Sequence, residues 1–401
     1  MAGGLLQLVA VGSQDVYLTS DPQITFFHAE YKRYTNFSME SIENTFTGTV
    51  DFGKRVNVNL QRVGDLVSKT YVQATLPDVD ISDASGFSWV EEVGHFLLKE
   101  VEIDIGGTRF DKHYSAWMSI WSSLCLPVGQ QTGYNQMIGN TSDLNATGTT
   151  NGTVSGRVLY IPLQFWFCKD YALSIPVIAL QFHQVKVTVE FETFANLINA
   201  TSGTPTTTPS LGSTSLYTDY IFLDTVERRM FAQSKHEYLI EQLAFTGSES
   251  LSGTNNRIKL SFNHPVKELL WVVRSDDTVS NNFTDSATAA SGVNPTSVAK
   301  LQINGHDRFS ERAGEYFNYV QPYQHHTNTP ATGINVYSFA QHPEKYQPSG
   351  TMNMSRIDNA TLALTLTSAA AALTNPTVSV FAVNYNIMRI MSGMGGLAYS
   401  S

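Results

Sequence analysis

Apolar and polar residues alternate along much of the chain. Val185-Lys-Val187-Thr-Val189-Glu-Phe191 puts its apolar side chains on one face of an extended strand and its polar ones on the other. Val56-Asn-Val58-Asn-Leu60, Val101-Glu-Ile103-Asp-Ile105, Ile258-Lys-Leu260-Ser-Phe262 and Leu362-Ala-Leu364-Thr-Leu366 repeat that pattern. Leu269-Leu-Trp-Val-Val273 is apolar throughout, as in a strand covered on both faces. Helical spacing is scarce. Tyr114, Trp117, Trp121 and Leu124 recur every three or four residues, which predicts a short amphipathic helix lying on the first barrel. Ser234-Lys-His-Glu237 has the form of a capping box. The residues after it nevertheless read as a strand, because they match an earlier segment that makes a poor helix.

That match belongs to a longer repeat. Phe46-Thr-Gly48 corresponds to Phe245-Thr-Gly247, Val67 to Val266, and Arg109-Phe110 to Arg308-Phe309, all at one offset of 199 residues (46 to 245). Three matches in one order at one offset indicate two copies of a unit of domain size. Gly106-Gly107 and Asn304-Gly305 end equivalent strands as tight turns needing positive φ. Later pairings, Tyr160 with Tyr337 and Ile221–Asp224 with Phe381–Asn384, fall at shorter offsets, so the first copy carries extra loop. The polar runs Gly129 to Gly156 and Asn196 to Ser215 supply it, and Ser275 to Ser297 is the second copy's own long run. The expected architecture is all-β: two tandem eight-stranded antiparallel sandwiches, a double jelly roll, with a few short helices. The expected segments are an arm over 1–25, a first roll over 26–225, a linker over 226–236 and a second roll over 237–401.

Composition narrows the function. Of the 401 residues, 42% are hydrophobic and 15% charged, and the formal net charge is −10. Phosphate binding requires clustered Lys and Arg. The densest basic spots, Lys32-Arg33 and Arg228-Arg229, hold two each, so no direct nucleic-acid contact is expected. Cys125 and Cys168 sit among apolar neighbours and read as buried inert thiols, with no disulfide framework, which points to a reducing compartment. The N-terminus lacks a basic region before its apolar run and does not read as a signal peptide, and no apolar stretch reaches membrane-spanning length.

Further motifs run from end to end. They include Gly3-Gly-Leu-Leu-Gln-Leu-Val-Ala10, Gln14-Asp-Val-Tyr-Leu18, Pro22-Gln-Ile-Thr-Phe-Phe27, Asp111-Lys-His-Tyr114 and Tyr220-Ile-Phe-Leu-Asp224. Phe262-Asn-His-Pro265, Gln347-Pro-Ser-Gly350, Ser355-Arg-Ile-Asp-Asn-Ala360 and Arg389-Ile-Met-Ser-Gly-Met-Gly-Gly-Leu-Ala-Tyr399 complete the set. In these the chain resembles the major capsid proteins of the nucleocytoplasmic large DNA viruses, those of algal viruses and their iridovirus- and mimivirus-like relatives above all. The resemblance implies a double jelly roll and a homotrimeric, pseudo-hexagonal capsomer. It implies tiling with neighbouring capsomers into an icosahedral shell, over minor capsid proteins and an inner membrane, in a virion assembled in the host cytoplasm. The segment before the first roll would lie beneath the capsomer. No cofactor is implied.

A jelly roll can also be a carbohydrate-binding module or a cupin-like enzyme, and that alternative stands beside the shell protein. A cupin needs His-x-His and a downstream Glu, and the ten histidines include no His-x-His. His325 and His326 are adjacent and would point to opposite faces of a strand. There is no Gly-x-Ser-x-Gly, and Gly393-Met-Gly-Gly396 has too little chain after it for a dinucleotide fold. Glu91-Glu92 and Asp276-Asp277 read as solvated loop charge. No catalytic, cofactor or metal residue is therefore assigned. Asn-x-Ser/Thr triplets within the polar runs make Asn140, Asn145, Asn151, Asn199 and Asn282 candidate glycan carriers, whereas Asn36, Asn353 and Asn359 lie in scaffold-like segments.

Overall fold

The computed structural model describes residues 3–80, 85–145, 149–150, 153–199, 209–275 and 292–399. It divides into two compact units, Met1–Asn36 and Phe37–Ser401. The first holds two short helices, Gly3–Val9 and Ser13–Thr19. Every described residue of that unit is exposed, including Leu5, Leu8, Tyr17, Phe26 and Phe27.

The second unit contains two sandwiches of one design. Strands β1 (Phe37–Thr45), β2 (Arg55–Asn59), β3 (Leu66–Thr75), β4 (Leu98–Ile105), β5 (Thr108–Tyr114), β6 (Val158–Pro162), β7 (Val185–Phe191) and β8 (Thr214–Leu223) build the first. Strands β9 (His236–Ser250), β10 (Asn255–Leu260), β11 (Pro265–Arg274), β12 (Thr296–Ile303), β13 (His306–Asp307), β14 (Ile334–Ser338), β15 (Ala360–Leu366) and β16 (Thr377–Met391) build the second. The sheets of the first run β1-β8-β3-β6 and β2-β7-β4-β5, and those of the second β9-β16-β11-β14 and β10-β15-β12-β13. Each strand of the second roll thus takes the place of the strand eight earlier. The fold is all-β, a double jelly roll, with antiparallel pairing throughout these sheets.

Local chemistry explains the shared register. Two-residue loops join β4 to β5 and β12 to β13, pairing Ile105 with Thr108 and Ile303 with His306. Their central residues, Gly106, Gly107, Asn304 and Gly305, all have positive φ, between 47° and 83°. Such turns match the twist of the flanking strands, and Gly and Asn reach them at least cost. Gly48 and Gly247, the repeat's matching glycines, also share a φ near 100° (100° and 105°). A bulge recurs in β3 against β8, between the partners of Thr218 and Tyr220, and in β11 against β16, beyond Val266. One sequence pairing slips: Val67 lies opposite Tyr220 and Val266 opposite Asn384, so Asn384 answers to Tyr220 rather than Asp224. A slip of an even number of residues leaves every side chain on the same face, so alternation alone does not detect it.

Each roll has its own core, the first including Val72, Trp89, Ile103, Ile161 and Val187, the second Leu260, Trp271, Leu301, Phe317 and Leu364. The helix expected around Trp117 forms at Ser115–Cys125 and is wedged between the two rolls. Met118 joins the first core, while Trp117, Ile120 and Leu124 pack against Leu270, Val272, Ile334, Val336, Phe381 and Val383 of the second roll. This accounts for the apolar run in β11, since Leu269, Trp271 and Val273 face the second core while Leu270 and Val272 face the helix. Two further helices occupy segments read as loop and linker. Val128–Ile138 buries Tyr134 and Ile138. Thr225–Gln233 starts at Asp224, whose side chain accepts from Thr225 N, and is anchored by Arg228 Nε donating to Asp65 Oδ1 at 2.9 Å.

Candidate functional site

The surface where the two rolls meet is the most constructed feature outside the cores. Besides the helix Ser115–Cys125, two polar clamps hold it. Leu243 N donates to Asp111 Oδ1 at 3.0 Å, and Gln242 Nε2 donates to the Phe110 carbonyl. At the other clamp, the C-terminal strand Met394–Leu397 folds back on β16, and Phe182 N donates to Gly393 O at 3.0 Å. A Cβ at Gly395 would sit 2.7 Å from Leu180 Cδ2, so glycine is what lets this hairpin close on the first roll. The Gly393-Met-Gly-Gly run is thus packing material, not a nucleotide loop.

The seam buries charge. Glu241 of β9 receives Lys169 Nζ from the first roll at 3.0 Å and Lys267 Nζ from the bulge of β11. Lys267 Nζ also donates to the Pro343 carbonyl at 2.6 Å. Burial would raise the Glu241 carboxyl, but the two ammonium groups outweigh it and hold it down at about 2. Close by, His326 lies between two carboxylates, Nδ1 3.0 Å from Glu344 Oε1 and Nε2 3.1 Å from Glu268 Oε2. Burial alone would lower the imidazole, yet Cys125 and these carboxylates raise it to about 12. Burial raises both thiols, Cys125 to about 11 and Cys168 to about 12.

Several candidate residues sit differently from expectation. His325 ends the helix Gln321–His325 and His326 caps it, so the pair is not on a strand. Glu92 is not merely solvated charge: its Oε2 is 3.0 Å from Nδ1 of the buried His95, whose Nε2 meets Tyr134 Oη at 2.8 Å. Among the triplet asparagines, Asn199 is buried at the end of a short strand, Ile198–Asn199. Asn145 Nδ2, the nitrogen a glycan would need, donates to Asn140 Oδ1 at 2.8 Å, and both residues are half-buried. Asn151 and Asn282 lie outside the described residues, as does the acidic pair at 276–277. Asn353 and Asn359, read as scaffold positions, are exposed.

The outer surface carries apolar side chains with no cover in the single chain. Phe182 is 73% and Tyr323 85% exposed, with Val128, Val226 and Met230 also exposed. Isolated surface apolars are ordinary, but large aromatic ones mark contact surfaces.

Comparison with known proteins agrees with this architecture. Residues 25–224 match the family of the major capsid protein N-terminus, and residues 227–396 that of the large eukaryotic DNA virus major capsid protein. The chain is 49% identical to the major capsid protein of Pyramimonas orientalis virus and 44% identical to that of Phaeocystis pouchetii virus, with all of both chains covered in each case. Its structure superimposes on a chain of the PBCV-1 virus capsid with a TM-score of 0.81 at 35% identity, over 94% of this chain and 100% of that one. These relatives are structural capsid proteins, and the cupin-like alternative falls with them. The chain belongs to the major capsid proteins of the large eukaryotic DNA viruses and is a structural component of the virion shell, not an enzyme.

Proposed function

We propose that three copies of this chain associate into a pseudo-hexagonal capsomer, and that these capsomers tile an icosahedral shell. The observation that carries the reading is the eight-strand correspondence between the rolls, combined with the packed seam that fixes them to each other. Two like towers per chain, held rigidly and repeated by a threefold axis, present six similar sides, and six-sided blocks tile a surface. Exposed aromatic side chains such as Phe182 and Tyr323 supply apolar area for contacts between copies. The segment Met1–Asn36 cannot bury its own Leu5, Leu8, Phe26 and Phe27, so it needs a partner. Minor capsid proteins and the inner membrane beneath the shell are the proposed ones, with assembly in the host cytoplasm. A net charge of −10 opposes direct binding to the genome.

Light scattering of purified protein tests the trimer. The expected mass is about 133 kDa, three times 44.3 kDa. A monodisperse single chain at micromolar concentration would overturn it, as would negative-stain images lacking hexagonal particles. Glycan attachment in the polar loops is proposed at Asn140, Asn151 and Asn282 ahead of Asn145, whose Nδ2 is committed as a hydrogen-bond donor, and Asn199, which is buried. Peptide mass spectrometry of virion-derived protein reads each position directly.

A further inference from the structure

Part of the seam gathers donors that holding the rolls together does not require. Cys125 at the end of the helix Ser115–Cys125, His326 and Glu344 place a thiol sulfur, an imidazole nitrogen and a carboxylate oxygen within 4.8 Å of one another. Glu268 of β11 approaches from the second roll's sheet, its Oε2 3.1 Å from His326 Nε2. We propose that this cluster is a binding site for one zinc-class divalent cation, which clamps the first roll's helix to the second roll.

Five observations support the assignment. The donor set mixes sulfur, imidazole and carboxylate, which suits zinc rather than the all-oxygen shells of calcium or magnesium. His326 Nε2 and Glu268 Oε2 face each other with side chains 1% and 8% exposed, yet neither atom has an aligned hydrogen bond. Buried polar atoms left this way call for an explanation. Two ligands at about 2.0–2.1 Å from one tetrahedral ion stand roughly 3.3 Å apart, close to the 3.1 Å between these atoms. The surroundings are also fixed. Thr327 N donates to Glu344 Oε1 at 3.0 Å and Thr327 Oγ1 to Oε2 at 2.5 Å, while Asn328 N donates to Leu124 O at 3.0 Å, holding the His326 loop against the helix end that bears Cys125. Finally, Cys125, Glu268 and Glu344 line a cavity of about 520 Å³, which gives an ion and its remaining water a way in.

The imidazole offers one nitrogen to the ion and its other N–H to a carboxylate. Of Glu268 and Glu344, one therefore ligates and the other orients the ring. Binding expels the thiol proton and the second imidazole proton, so a dication leaves the net charge of the cluster unchanged.

The test uses the full chain, stripped with a chelator and titrated with Co²⁺ and then Zn²⁺. One equivalent of Co²⁺ per chain should bind with a thiolate-to-cobalt charge-transfer band in the near ultraviolet, and Zn²⁺ should displace it. Cys125→Ser should abolish the band, and His326→Gln should weaken Zn²⁺ binding at least tenfold. Folded wild-type protein that shows no such band, or variants that bind Zn²⁺ like wild type, would overturn the site. If a variant does not fold, the wild-type cobalt spectrum decides alone.

Discussion

Replacing Glu241 with Gln tests how far buried charge at the seam stabilises the fold, since this carboxylate pairs with Lys267 of its own roll and with Lys169 of the first. The carboxylate is 16% exposed, receives two ammonium groups, and is held at about 2 instead of its ordinary 4.5. A depression of that size corresponds to roughly 3 kcal/mol of stabilisation at neutral pH. Because the folded value lies below the unfolded one, the contribution is complete above pH ~4.5 and is lost as pH falls from there toward ~2. In Glu241→Gln, Lys267, 3% exposed, keeps its charge without a carboxylate, whereas Lys169, 30% exposed, can turn to solvent. The expected cost at pH 7 is therefore about 3 kcal/mol, set mainly by Lys267. At pH 3 the wild type has lost roughly 2 kcal/mol of this term, so the gap between the two proteins should shrink by that amount. Guanidinium unfolding followed by tryptophan fluorescence, at matched protein concentration at pH 7 and pH 3, reads both differences. A cost under about 1 kcal/mol, or a gap that does not change with pH, would refute the electrostatic account.

Phe381→Ala removes a side chain, 1% exposed, that stacks on Phe245 at 4.6 Å and meets Trp117 at 6.1 Å; it should cost about 3–5 kcal/mol by chemical denaturation. Gly106→Ala and Gly107→Ala should differ by thermal unfolding. Both positions have positive φ, worth about 1–2 kcal/mol against Ala, but only at Gly106 would the new Cβ also collide with His183, 2.3 Å from Nδ1, so it should be the more damaging. Deleting residues 2–20 should leave trimers intact on sizing while impairing shell assembly, and monomers on the column would count against an arm that acts beneath the capsomer.

The scaffold was legible because alternation reports a strand's face locally. Val185–Phe191 and Leu362–Leu366 needed no knowledge of their partners, and Gly106-Gly107 and Asn304-Gly305 named their own turns. The helix Ser115–Cys125 was legible as a helix lying on the first roll, yet its second docking surface, on the other roll, was not. Helical periodicity shows that a face must be covered and does not say by what. The answer lay some 150 residues downstream (Leu124 to Leu270), in an apolar run whose second face needed a cover. Reading those two needs together would have paired them. Glu92 and His326 were opaque for another reason. Glu92 and His95 stand three apart at one helix start, but Tyr134 beside them, and the Cys125, Glu268 and Glu344 around His326, come from separate segments that no spacing rule links.

The same contrast bears on why the copies diverged where they did. The sixteen strands, four hairpin-turn residues and the bulge in β3 and β11 are shared, because each is needed to close a sandwich. At the bulge, however, the first roll has Ser68, whose hydroxyl donates to the Asp219 carbonyl at 3.2 Å, and the second has Lys267, which reaches Glu241 in the seam. A neutral hydroxyl there satisfies its own roll, while the buried ammonium needs the carboxylate of Glu241, which in turn also receives Lys169 from the first roll. One position of one repeated unit thus became, in a single copy, part of the attachment between both. If that is its role, Lys267→Met together with Glu241→Gln should recover most of the stability that Glu241→Gln alone loses, because no buried charge is then left unpaired. Failure to recover it would mean that Lys267 serves chiefly its bond to the Pro343 carbonyl within the second roll.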